Sequence, residues 1–136
     1  MHDTHDFPPN FQAILKVFPE ANKHGVLFCY GDQIYNPSRI DIPQYLVVHE
    51  NVHRLQQGDR PGLWWEKYLV NPEFRLAQEI PAHQAEYEAY GWEYPNRTLR
   101  RMHLKEEAKR LSGPLYGNMI SFEKAKAIIK TKGAEA

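Results

Sequence analysis

Residues 43–58 read Pro43-Gln44-Tyr45-Leu46-Val47-Val48-His49-Glu50-Asn51-Val52-His53-Arg54-Leu55-Gln56-Gln57-Gly58, and the periodicity of this stretch decides how the chain folds. Tyr45, Leu46, Val48, Val52 and Leu55 recur at intervals of three and four, the spacing of one helix face, and Gly58 supplies a C-terminal stop. A mostly buried helix over residues 43–57 is expected. Within it stands His49-Glu50-Asn51-Val52-His53, an HExxH arrangement. Residues i and i+4 leave a helix on one side about one turn apart, so two imidazoles there can grip a single ion. With 7 histidines in 136 residues, only about 0.03 accidental matches are expected, which sets chance aside. On a face carrying Val48, Val52 and Leu55, both histidines would be buried, and a shared metal satisfies the two at once.

The metal implied is Zn²⁺, which accepts tetrahedral nitrogen and oxygen ligation from such a pair, a carboxylate and a water. Glu50 is rotated from the histidines by one residue and is placed to act as general base toward that water. A third protein ligand must come from elsewhere. The metzincin continuation needs a glycine and a further histidine soon after the second, and Arg54 to Asp59 contains no histidine. A carboxylate from the following helix is favoured, with Glu73, Glu79, Glu86 and Glu88 as candidates and His83 as the nitrogen alternative. Glu79 ranks first, because it precedes Pro81 among Leu76, Ala77, Ile80 and Ala82, where a lone charge would be expensive.

Upstream of the motif, Val26 to Tyr30 and Gln33 to Tyr35 flank Gly31-Asp32 and read as a β-hairpin. Phe11, Ile14, Leu15 and Phe18 follow Pro8-Pro9 at helical spacing and predict a short amphipathic helix ending near Pro19. The first six residues are polar and suggest a mobile terminus. Downstream, Leu63 to Val70 reads as an aromatic-rich helix whose Trp64 and Trp65 cover core, and residues 72–90 form a helix that Pro81 should kink. Helices over 96–111 and 122–129 complete the chain, with Ser121 capping the last. The expected architecture is α+β, a single domain over residues 1–136, with a small sheet packed on the helix that carries His49 and His53.

Leu46-Val47-Val48-His49-Glu50-Asn51-Val52-His53 followed by Glu79-Ile80-Pro81-Ala82 resembles the gluzincin branch of zincin metallopeptidases, over roughly residues 26–90. The resemblance implies that Glu79, opening a Glu-x-x-Ala-type motif, is the third zinc ligand. It also implies that a strand before the active helix, here within Val26–Tyr35, runs along the cleft and binds extended substrate backbone. Ile34-Tyr35-Asn36-Pro37, the HExxH motif, Gln56-Gln57-Gly58-Asp59 and Trp64-Trp65 together resemble small predicted metallopeptidases encoded by bacteriophages. One position departs from the pattern: four residues after the third ligand, where an aspartate often orients a zinc histidine, stands His83. Glu86, one turn further on, is the candidate for that orienting role, or His83 displaces Glu79 from the metal.

Composition narrows the function classes. Seventeen basic and seventeen acidic residues give a formal net charge of zero, so no overall field favours nucleic acid or an anionic membrane. The basic run Arg97, Arg100, Arg101, Lys105, Lys109 and Arg110 is interrupted by Glu106 and Glu107 and reads as a solvated helix face. The one cysteine, Cys29, lies between Phe28 and Tyr30 and suits a buried apolar position in a reducing compartment. Neither a signal peptide nor a membrane-spanning run is recognisable, so a cytoplasmic protein is expected, with the virion as a further location for a phage product. The expected function is zinc-dependent hydrolysis of peptide or protein substrates, with Glu50 as base and His49, His53 and Glu79 as ligands. The alternatives are a zinc amidase acting on cell-wall peptides and a zinc-containing binding or virion assembly module without catalysis. Tyr116, His103, Tyr87 and Tyr90 are chemically suited to stabilise an oxyanion.

Overall fold

The computed structural model describes residues 2–131 as an α+β arrangement. The elements are β1 (His2–Thr4), α1 (Phe11–Val17), a 3-10 turn (Pro19–Asn22), β2 (Phe28–Tyr30), β3 (Gln33–Tyr35), α2 (Gln44–Gln57) and α3 (Pro61–Val70). There follow α4 (Pro72–Glu93), α5 (Arg97–Leu111), a second 3-10 turn (Pro114–Tyr116) and α6 (Phe122–Lys130). No helix among the described residues is long and apolar enough to cross a membrane.

The hairpin forms as its turn chemistry dictates. β2 and β3 pair antiparallel with Tyr30 opposite Gln33, and Gly31 adopts φ 64° at the first of the two loop positions, the place a type II′ turn reserves for glycine. The polar terminus does not behave as composition suggests: residues 2–4 pair parallel with β3, from His2 opposite Gln33 to Thr4 opposite Tyr35. Backbone pairing needs no apolar side chains, and Asn36 N–H extends it by donating to Thr4 O at 2.7 Å. The sheet order β1-β3-β2 leaves β2 at an edge.

α2 and α4 run antiparallel, since Tyr45 N–H donates to Glu93 (2.6 Å), His49 meets Glu86 (2.8 Å) and Gln56 donates to the Gln78 carbonyl (2.9 Å). The buried face of α2 is Glu50, His53 and Gln57, while Leu55 is 65% exposed. This corrects the apolar stripe expected from Val48, Val52 and Leu55. A helix buries whichever face finds partners, and here polar side chains find them. Gln57 donates to Cys29 O (2.8 Å) and accepts from Gly31 N–H (2.7 Å), fastening the hairpin to α2. Gly58 then ends α2 with φ 57°, which a side chain would resist.

α4 likewise buries Arg75, Leu76, Glu79, Ala82, His83 and Glu86, a helical stripe that is largely polar. Pro81 lies within this helix without ending it; the carbonyl it deprives belongs to Ala77, an exposed residue, where solvent can hydrate it. Asn71, Asn96 and Ser121 cap α4, α5 and α6 through their side chains.

Two apolar clusters flank the α2–α4 seam. One gathers Ile14, Ala21, Phe28, Trp64, Trp65 and Tyr68 from α1, the first 3-10 turn, β2 and α3. The other gathers Leu76, Leu104, Ala108, Leu111, Tyr116, Ala125 and Ile129 from α4, α5, the second 3-10 turn and α6. Arg75 links them, donating to Tyr68 O, Leu69 O and Leu115 O at 2.8–3.0 Å. Cys29 is buried, and burial raises its thiol pKa, so it behaves as a small apolar residue.

Candidate metal centre

The seam between α2 and α4 brings His49, His53 and Glu79 to one point. His49 and His53 project from α2 one turn apart, and the α4 stripe carries Glu79 up to them. His49 Nε2, His53 Nε2 and Glu79 Oε1 form a triangle with every side 3.2 Å. A tetrahedral ion with ligands at about 2.0–2.1 Å holds neighbouring ligand atoms about 3.3–3.4 Å apart, so the three atoms already outline one face of such a tetrahedron. The donor chemistry, two imidazole nitrogens and a carboxylate oxygen, fits Zn²⁺.

Each ligand candidate is held from behind. His49 Nδ1 lies 2.8 Å from Glu86 Oε1 and His53 Nδ1 lies 2.9 Å from Gln56 Oε1, which leaves both Nε2 atoms facing the centre. Tyr68 donates its hydroxyl to Glu79 Oε2 at 2.5 Å, so that Oε1 faces the histidines. Glu86 is braced in turn by His103 Nε2 at 2.6 Å, and the His103 ring stacks on Tyr90 at 4.0 Å.

The charges explain one another. Burial would raise the Glu79 carboxyl, but the charges and hydrogen bonds of His53 and His49 hold it well below the usual carboxylate range. Burial would also depress the two histidines, yet the bonds and charge of Glu79, joined by Glu86 at His49, raise both. The cluster thus stabilises positive charge at the place a divalent cation would take. Burial pushes Glu50 the other way, raising its carboxyl despite His49 and His53 nearby, toward the range where a general base is effective near neutral pH.

A cleft of about 430 Å³ includes the residues of this centre in its lining, together with Glu50, His83, Tyr116 and Arg110 and with Val26, Leu27 and Phe28 at and before the edge strand. Of the carboxylate candidates, Glu73 and Glu88 are exposed on α4, away from the seam, and Glu86 stands behind His49. Among the oxyanion candidates, Tyr116 lines the cleft, His103 braces Glu86, Tyr90 stacks on His103, and Tyr87 faces a separate groove with Trp92 and Arg100. Four side chains escape the sequence reading as site residues: Gln56 and Gln57, quoted there only within the resemblance, Tyr68, and Glu107, expected on a solvated face but fully buried where α5 packs against α4. Gln56 follows His53 by three positions, a helical spacing that could have flagged it; Tyr68 and Glu107 arrive from other helices and carry no such signal. Comparison of the chain with protein families, characterised proteins and solved structures finds no match.

Proposed function

We propose that this chain is a zinc-dependent hydrolase that cleaves peptide bonds, with His49, His53 and Glu79 as metal ligands and Glu50 as general base. The observation that carries this reading is the 3.2 Å triangle of Nε2, Nε2 and Oε1 atoms in the lining of an open cleft. Zinc, when bound, polarises a scissile carbonyl and brings the pKa of water toward neutrality. Glu50, on the cleft wall beside the ligands, accepts the proton that an attacking water gives up and returns it to the leaving amine. Burial, which raises its carboxyl, equips it for both transfers. An extended peptide finds a pairing edge at Leu27, just before β2, because Cys29 O itself is occupied by Gln57 and by the Trp65 indole at 3.0 Å.

The deciding experiment compares wild type with Glu50→Gln on a peptide library and measures zinc in both. The substitution keeps the shape and the metal but removes the proton acceptor, so zinc content stays at one per chain while cleavage falls by about 10²–10⁴-fold. Replacing His49 and His53 together with alanine abolishes zinc uptake. A Glu50→Gln protein with full activity would leave a second reading, a binding module clamped by zinc. One observation favours it: His83 Nε2 lies only 3.9 Å from Glu79 Oε1, and four protein ligands are the mark of structural zinc sites.

A further inference from the structure

We propose that His83 is a fourth protein ligand, so that this chain presents three imidazoles and one carboxylate to a single metal ion. The inference rests on the metal half of the function proposed above and holds whichever task the metal performs. Glu79 and His83 stand four residues apart on α4, as His49 and His53 do on α2, so each helix offers a pair from one face. The His83 ring meets the His49 ring edge to face at 4.8 Å, and its Nε2 lies 3.9 Å from the same Glu79 oxygen that the other two histidines approach.

His83 is held from behind in the same manner as those two. Its Nδ1 lies 2.8 Å from Oε2 of Glu107, a fully buried carboxylate on α5. A histidine fixed through Nδ1 by a buried carboxylate is the usual arrangement around a metal, where the outer partner orients the ring and strengthens the inner nitrogen as a donor. A core histidine ordinarily finds partners for both nitrogens, in the protein or in ordered water. The Nε2 of His83 makes no hydrogen bond among the described residues, although the side chain is 3% exposed, and it lines the cleft at the centre. Its contact to Glu79 exceeds a tetrahedral ligand–ligand edge by about half an ångström. With His83 as fourth ligand, water attack assisted by Glu50 would require the expansion to five-coordination that zinc shows in catalytic transition states.

Zinc K-edge X-ray absorption on the wild-type chain, loaded with one equivalent of zinc, counts imidazoles directly from their outer-shell scattering. Three are expected, falling to two in His83→Gln. Competition with a chromophoric chelator should show zinc affinity weakened at least tenfold in His83→Gln, and about 10–100-fold in Glu107→Gln, which keeps every ligand but alters the support of one. Two imidazoles in the wild-type spectrum would overturn the proposal even if neither variant folds, and so would a His83→Gln protein with unchanged spectrum and affinity. A wild-type chain that takes up no zinc would end the metal reading itself, whereas a zinc site with two imidazoles ends this inference alone.

Discussion

Tyr68 acts on the centre through a single hydrogen bond to Glu79, and that makes it a probe of how the proposed ligands are aimed. Its ring stacks on Trp64 at 4.8 Å and meets Trp65 edge-on at 5.2 Å, so Tyr68→Phe should keep the packing and lose the 2.5 Å bond to Glu79 together with the hydroxyl's contact to Tyr116. Zinc affinity should drop by about tenfold with little change in melting temperature, as measured by chelator competition and calorimetry. The convergence of His49 and His53 was legible in the sequence because HExxH carries its own geometry: spacing alone puts them on one side of a helix. Glu79 was legible for a different reason, a glutamate set among apolar residues beside Pro81. The outer support was not legible. Glu107 and Tyr68 reach the centre only through the packing of α5 and α3, and nothing in their local sequence marks them.

At the scale of elements, hydrophobic periodicity located the helices but misjudged which face of α2 is inside. The apolar residues of α2 repeat at helical spacing, which is enough to call a helix; but Glu50, His53 and Gln57 are the ones buried, because their partners lie on β2 and α4. Hydropathy has no term for a polar face whose partners are far away in sequence. The hairpin was legible from Gly31-Asp32, whereas β1 was hidden by its polar composition, since strand pairing there is made by backbone alone. Gln57 shows what such a polar face contributes. Gln57→Ala removes two hydrogen bonds, leaving the Gly31 amide without its partner while Cys29 O keeps the Trp65 indole, which should cost about 1–2 kcal/mol in urea unfolding. The Gly31 amide, which donates to Gln57 at 2.7 Å, should lose hydrogen-exchange protection by more than the global change.

For the whole molecule, the titrating groups of the centre predict how the zinc-free protein responds to pH. His49 and His53 are raised from 6.5, so their contribution is complete below that value and is lost as pH climbs through their folded values. Glu79 and Glu86 are lowered from 4.5 by their histidine partners, against burial, so their contribution is complete above that value and is lost as pH falls. His83, which burial and the His49 charge lower to about 3, loses stability below 6.5. Glu107, raised to about 9 by burial and the Glu86 charge, loses it above 4.5, so the two offset one another between those values. Chelator-treated protein should therefore show its highest urea midpoint between about pH 4.5 and 6.5, tilted to the acid side by Glu50; a maximum above pH 8 would contradict the ion pairs described. Zinc at a hundredfold excess over its Kd should add about 2.7 kcal/mol to that midpoint stability. The position of the centre, on a seam between two apolar clusters, also has a kinetic consequence. The cluster of Leu76 to Ile129 is assembled from elements consecutive along the chain, whereas that of Ile14 to Tyr68 reaches across the intervening β3 and α2. The ligand set is complete only once α2 is docked on α4, and an interaction made that late slows unfolding without hastening folding. In stopped-flow experiments zinc should then act as a latch: refolding proceeds at nearly the same rate with or without it, and the stabilisation emerges as a longer lifetime of the native state.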